Sequence, residues 1–309
     1  MKHISDICSL AVILLVSFLS SYGCSGGDCW VEAEGYRWSG ELYGISGTSD
    51  LDTYVVGYDI AAKYDGHKWN LISSNLGGGY LTDVWVSPSG SVYTAGRSGI
   101  VYKCDGSSNE QIHDLPGGEF SNVWGTDDNN LYVVGTTDTN GTLLHYKDGL
   151  WQEEYVWPDR CFGGVWGSSA DDVYSVGCGE LLHFGGVAWQ ELQMEFEFKA
   201  GRIWGTSADD IYAVGTNVYH YDGISWSLVN TGVEEGGVDV WGRGPDDLFY
   251  VGPEGVVVHY NGDRWIDVSI SKDVDLEAVG GTVNGEVFIV GNTWKSGSFV
   301  GKVYRYNCD

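Results

Sequence analysis

The residues best suited to recognising a ligand lie in the least regular parts of this chain. Arg37, Trp38, Tyr58, Arg97, Trp157, Arg160, Arg202, Trp294 and Lys295 fall where regular, repeated stretches are joined. An arginine offers a planar fork of charged donors and an aromatic ring offers a flat apolar face, so the set suits a glycan or a protein surface. The other chemistry-bearing residues repeat too regularly to form one site. His145, His183, His220 and His259 occupy corresponding places in separate copies of a repeat, too far apart for ligands that must all lie about 2 Å from one ion. The acid pairs Asp127-Asp128, Asp171-Asp172, Asp209-Asp210 and Asp246-Asp247 read as turn caps and lack the dense alternating ligands of a calcium loop. No metal or cofactor is expected. There is no nucleophile elbow, phosphate loop or paired Cys–His site. Because the chain holds 43 acidic residues, a two-carboxylate glycosidase or lyase stays open as the alternative to binding without catalysis.

The elements that must position these residues form a sevenfold repeat. Its fifth copy reads Ile203-Trp204-Gly205-Thr206-Ser207-Ala208-Asp209-Asp210-Ile211-Tyr212-Ala213-Val214-Gly215, and the copies close on glycines 57, 96, 135, 177, 215, 252 and 291. A period near 40 built from short alternating runs predicts one four-stranded sheet per copy, arranged radially as an all-β, seven-bladed β-propeller. In the fifth copy, Gly201–Gly205 is expected as strand A, Asp210–Val214 as B, Val218–Tyr221 as C and Trp226 onward as D. Trp85, Trp124, Trp166, Trp204 and Trp241 recur in strand A. Their repetition points to packing between blades rather than a ligand cage.

Strand C runs into Tyr-Asp-Gly-x-x-Trp at Tyr64–Trp69 and Tyr221–Trp226, with variants at Tyr146–Trp151 and Tyr260–Trp265. This hairpin resembles the Asp-box turn of sialidase-like bacterial propellers, although His or Lys stands where that family has Ser or Thr. The whole repeat is similar to bacterial lipoprotein propellers with Asp-box/BNR-like repeats; it lacks the Gly-His…Trp-Asp spacing of WD40 blades. Such families bind, scaffold or catalyse, so the resemblance implies a fold more than an activity.

Residues 1–23 read as a signal peptide: Lys2, then an apolar run from Leu10 to Leu19 too short to span a bilayer. Gly23-Cys24 resembles the lipoprotein cleavage point, which implies lipidation of Cys24, a tether over 24–29, a propeller over 30–309 and export to the cell envelope. The net charge of −27 argues against nucleic acid and against electrostatic adhesion to anionic lipid, leaving the lipid anchor as the only membrane contact.

The last copy lacks a strand D after Tyr306, while Cys29 to Glu34 matches one in pattern. The N-terminal strand is therefore expected to complete the last blade and close the ring, with Cys29–Cys308 as a covalent link. Cys161 and Cys178 lie equidistant from the Gly167–Asp172 turn and are expected to pair across adjacent strands. Strand A is taken to run from the top face to the bottom. The candidate binding residues then share the top face, and an anchor at Cys24 would turn that face away from the membrane.

Overall fold

The computed structural model describes residues 29–33, 35, 38–73, 79–104 and 109–308. These residues form 28 strands in seven separate four-stranded antiparallel sheets. The first strands of successive sheets touch one another around a common axis, so the molecule is a seven-bladed β-propeller. In the fifth blade, strand A is Ala200–Ser207, B is Asp210–Gly215, C is Val218–Tyr221 and D is Trp226–Val229. Strand A is longer than its sequence pattern implies.

Two glycine positions explain why the repeat is so legible, the closing one present in all seven copies and one directly after the inner tryptophan present in four. Glycines 57, 96, 135, 177, 215, 252 and 291 lie in or directly after strand B, where a Cβ would collide with the carbonyl oxygen of residue 41, 80, 119, 161, 199, 236 or 275 of the same blade. No larger residue fits there. The glycine that follows the inner tryptophan leaves room for the neighbouring blade: Trp85 lies against Gly125, Trp124 against Gly167 and Trp166 against Gly205. The inner tryptophans are thus steps from one blade to the next, as their repetition implies. Polar bonds reinforce these steps. Asp83 accepts from the Val123 amide at 2.9 Å, Asn122 from the Val165 amide at 2.8 Å and Asp239 from the Val279 amide at 2.9 Å, each bond crossing to the next blade.

The Tyr-Asp-Gly turns are hairpin builders. Asp222 accepts from the Ile224 and Ser225 amides at 3.0 and 2.9 Å, and Gly223 takes a φ of 85° that an L side chain rarely adopts. Asp65 does the same for His67 and Lys68 at 2.9 Å each. These donors hold both carboxyls below the usual carboxylate range.

The ring closes through the N-terminal strand. The seventh blade comprises Asp275–Gly281, Val287–Lys295, Ser298–Tyr306 and, outermost, Trp30–Glu32. Trp30 lies opposite Tyr306 and Glu32 opposite Tyr304. Trp30 also meets Phe249 of the sixth blade at 5.9 Å, while Lys302 pairs with Glu32 at 2.7 Å.

One of the two expected cysteine pairs is present. Cys161 and Cys178 are bonded across a Cα separation of 5.4 Å. The expected Cys29–Cys308 bridge is corrected: Cys308 is disulfide-bonded, but not to Cys29. The register is the reason, because the Asn307 amide donates to the Cys29 carbonyl at 2.8 Å and places Asn307, not Cys308, opposite Cys29. The signal segment 1–23 and the lipidation candidate Cys24 lie outside the described residues.

Deleting residues 1–34 removes the outer strand of the seventh blade and uncovers Phe249 and Tyr306. The truncated chain is expected to be insoluble or to lose cooperative thermal unfolding. A soluble product with the melting temperature of the full chain would contradict closure by this strand.

Candidate functional site on the top face

The top face is the side carrying the B–C turns and the D–A connections. Reading one repeat position around the ring shows what lines its centre. Thirteen residues before each closing glycine stand Gly44, Asp83, Asn122, Gly164, Arg202, Asp239 and Ala278. Inner strands bring these to the axis, where Arg202 faces Asp83 and Asp239 and interacts electrostatically with both. Its guanidinium is already occupied: Nη1 donates to the carbonyl oxygens of Gly163 and Gly201, and Nη2 to that of Ser121 at 3.4 Å. Burial pushes Asp83 up to about 7 and Asp239 to about 6, with Arg202 and the inter-blade amides opposing that rise.

Above this channel opens a cleft of about 490 Å³, whose walls include Tyr43, Tyr80, Arg97, Glu41, Glu119 and Glu277. At its mouth the Arg97 guanidinium lies 5.0 Å from the Tyr80 ring centre and 5.7 Å from that of Tyr43. Tyr58 meets Tyr80 at 4.6 Å and backs it. The Arg97 amide donates to the Tyr80 carbonyl at 2.9 Å, the same oxygen that excludes a side chain at Gly96. The closing glycine therefore fixes the Arg97–Tyr80 geometry. Deeper in, burial pushes Glu277 up to about 7; Asn292 and Arg202 oppose the rise, while Asp275 and Glu41 add to it. Burial, and then a hydrogen bond to Glu41, raise the Tyr43 phenol.

The residues expected to bind a ligand do not all come together. Tyr58, Arg97 and Arg202 come together at or beneath the cleft. Trp38 and Trp157 do not contribute a face: they are 8% and 7% exposed, Trp38 against Trp69 at 6.2 Å and Trp157 against Phe162 at 5.2 Å. Loop tryptophans at these places cap the hydrophobic space between blade ends. Arg160 is paired with Glu180 at 3.0 Å. Trp294 is 63% exposed, edge-on to Phe299 at 4.8 Å, and with Lys295 it tips the long hairpin of the seventh blade, away from the residues of the cleft. Arg37 lies outside the described residues. Tyr43, Tyr80, Glu41, Glu119 and Glu277 were not singled out by sequence. Their signal is columnar: Glu41, Tyr80 and Glu119 each stand sixteen residues before a closing glycine, and Tyr43 and Glu277 fourteen.

The four histidines belong to a different, repeated arrangement. Each stacks on the strand B aromatic of its blade, Tyr132–His145 at 4.1 Å, Tyr174–His183 at 4.2 Å, Tyr212–His220 at 4.3 Å and Phe249–His259 at 4.1 Å. Three also bond the second acid of an A–B turn: His183 to Asp172 and His220 to Asp210 at 2.7 Å, His259 to Asp247 at 2.8 Å. The acids therefore do more than cap their turns; they tie strand C to the turn between A and B. Among the described residues no cluster of three or more His, Cys, Asp or Glu side chains could hold a metal ion.

Solved propellers share this architecture. YCF48 from Cyanidioschyzon merolae superposes with a TM-score of 0.67 at 13% identity, over 90% of this chain and 99% of that one. YCF48 bound to D1 peptide gives 0.68 at 16% identity, over 91% and 97%. The WD40 propeller domain of Doa1 gives 0.68 at 12% identity, over 88% and 95%. At these identities the likeness establishes the fold alone. No protein-family model and no curated protein sequence matches the chain.

The channel acids set a pH dependence. Their folded pKa values lie above those of the unfolded chain, so the native state holds protons that the unfolded state has released. Stability therefore falls as pH rises from about 4 towards 7 and is level above that window. Asp239→Asn keeps the acceptor for the Val279 amide but removes the charge. Between pH 5 and pH 8 the unfolding midpoint of the native chain in urea is expected to fall. The Asn variant should lose less, by about 1 kcal/mol, a value reduced from full linkage because the channel is open to water. Identical slopes would contradict this account of Asp239.

Proposed function

We propose that this chain is a non-enzymatic binding propeller that docks a segment of a partner protein in the top-face cleft. The observation that carries the reading is Arg97, stacked on Tyr43 and Tyr80 at the mouth of a preformed cleft. Arginine and tyrosine dominate the energetics of protein interfaces because they bring large contact area and directed donors at modest entropic cost. The cleft is lined by both signs of charge and by hydroxyls, which suits a polypeptide with its alternating donors and acceptors. YCF48, a propeller of the same shape, has been solved with a D1 peptide, which supports the peptide class without naming a partner here. A glycan stacked on Tyr58 and Tyr80 is the other binding mode this surface supports.

One observation favours a second reading, a glycoside hydrolase. Glu277, pushed up to about 7, shares the cleft with a second carboxyl, that of Glu41, and glycosidases work with a pair of carboxyls, one of them raised to serve as the acid. Against it, Arg202 and Asn292 engage Glu277 from within the protein. Export and lipidation at Cys24 complete the proposal, with the top face pointing away from the membrane. The reach of Ser25 to Cys29 is at most about 18 Å.

A photo-crosslinking residue at Thr136, in the cleft wall, and another at Ala208, in a bottom turn, test the reading on intact cells. Protein adducts are expected from position 136 and not from 208, and Arg97→Ala should reduce them about tenfold or more. Adducts only at 208 would overturn the docking face. Signal on a glycan array without adducts would favour sugar. Turnover of chromogenic glycosides that disappears in Glu277→Gln would establish the enzyme instead. Mass analysis of the N-terminal peptide checks the anchor: a diacylglyceryl thioether on Cys24 is expected, and a Cys24 found in a disulfide would overturn it.

A further inference from the structure

We infer that the docked segment carries a carboxylate, an aspartate or glutamate side chain, and that Arg97 receives it. The inference rests on the polypeptide reading above and narrows it. Acids outnumber bases in this chain by 43 to 16, so an arginine ordinarily finds a carboxylate. Arg160 has Glu180, Arg243 has Asp247 and Arg305 has Glu286; Arg202 is taken up by backbone carbonyls. The exposed Arg264 has no ion pair among the described residues, but it sits in a C–D hairpin on the opposite face and lines no part of the cleft. Among the described residues, Arg97 has neither an ion pair nor a side-chain hydrogen bond, although Glu41 and Glu119 line the same cleft. Its contacts are the two tyrosine rings. These ring contacts leave the guanidinium N–H donors without a hydrogen-bond acceptor, and such a group can take a carboxylate in two parallel bonds.

The rest of the cleft gives the ligand a direction. The hydroxyls of Thr82 and Ser121 already donate to Phe120 O and Phe162 O at 2.7 and 2.8 Å. Beyond Arg97 the charged groups lining the cleft are the acceptors Glu41, Glu119 and Glu277, together with Arg202, whose donors backbone carbonyls already take up. A bound segment must therefore place its anionic group at the mouth and its N–H or ammonium donors inward. A singly charged carboxylate fits this field better than a phosphate, whose second charge would meet the three glutamates. The same acids repel carboxylates from other parts of the surface, so Arg97 fixes where an acidic side chain lands.

The test is an NMR titration of the full chain, following the Arg97 Nε–Hε signal (assigned with Arg97→Lys) and the backbone amides of Thr82, Ser121 and Thr136. The probes are acetyl-Gly-Glu-Gly-amide, acetyl-Gly-Gln-Gly-amide and inorganic phosphate. The glutamate peptide is expected to move the Arg97 signal saturably, with the glutamine peptide at least tenfold weaker and phosphate weaker than the glutamate peptide. Tyr80→Leu, which removes one of the two rings holding Arg97, should weaken the glutamate peptide by a larger factor than the glutamine peptide. Equal affinity for the two peptides, with the cleft amides moving, would overturn the carboxylate inference and leave peptide docking standing. Tighter binding of phosphate would overturn it as well. If no probe moves any cleft signal, the inference and the docking reading fall together.

Discussion

Everything in this molecule depends on how one blade meets the next. The seven sheets share no strand pairing with each other, so no backbone ladder crosses from blade to blade. Contact is made instead by a bulky inner side chain seated on a neighbouring glycine, as with Trp85 on Gly125, Trp124 on Gly167 and Trp166 on Gly205. Burial of these rings supplies the attraction, and the absence of a Cβ beneath them sets the distance. Bonds from Asp83, Asn122 and Asp239 to amides one repeat away then fix the register of the inner strands. Where Gly280 replaces the tryptophan, Phe288 of the seventh blade meets Tyr64 and Trp69 of the first at 4.9 and 5.3 Å. Aromatic packing thus continues across the join.

This mode of assembly creates the functional surface. Because seven inner strands converge on one axis, any polar residue at a given repeat position faces six counterparts. Structure tolerates variety there as long as each blade keeps a bulky contact with its neighbour and its closing glycine. The axis of this chain carries two aspartates, one asparagine and one arginine, with Glu277 just above them, and the resulting field is strongly acidic. Inside that field the donors of Arg202 are taken up by carbonyl oxygens, while Arg97 at the rim is held by tyrosines. The two differ in what they leave exposed: Arg202 orders the channel, and Arg97 faces the solvent.

Sequence made the architecture legible because its constraints are repeated. The closing glycines mark a close approach of strand B to the start of strand A, the Trp-Gly step marks the blade interface, and Tyr-Asp-Gly marks a hairpin that needs positive φ at its glycine. Each appears several times, so each identifies itself. The site was legible only in part. Arg97 and Tyr58 stood out as aromatic and cationic residues in irregular segments, but Trp38 and Trp157 stood out for the same reason and are buried. Composition cannot separate a loop ring that packs inward from one that points outward. Tyr80, Glu41 and Glu277 were overlooked because they sit inside the repeat at its variable positions, visible only when copies are compared column by column. The Cys29–Cys308 expectation failed on register, which shifts facing residues by one and which neither composition nor spacing determines.

The account's central claim is that binding happens on the axial top face and uses a cleft already formed. Hydrogen exchange on the full chain, with and without a partner protein captured at position 136, tests that claim most directly. The account predicts added protection at residues 41–43, 80–82, 97 and 119–121, with the bottom turns at 207–210 and 244–247 unchanged. Protection concentrated in those bottom turns, or slowed exchange throughout the inner strands of all seven blades, would contradict it.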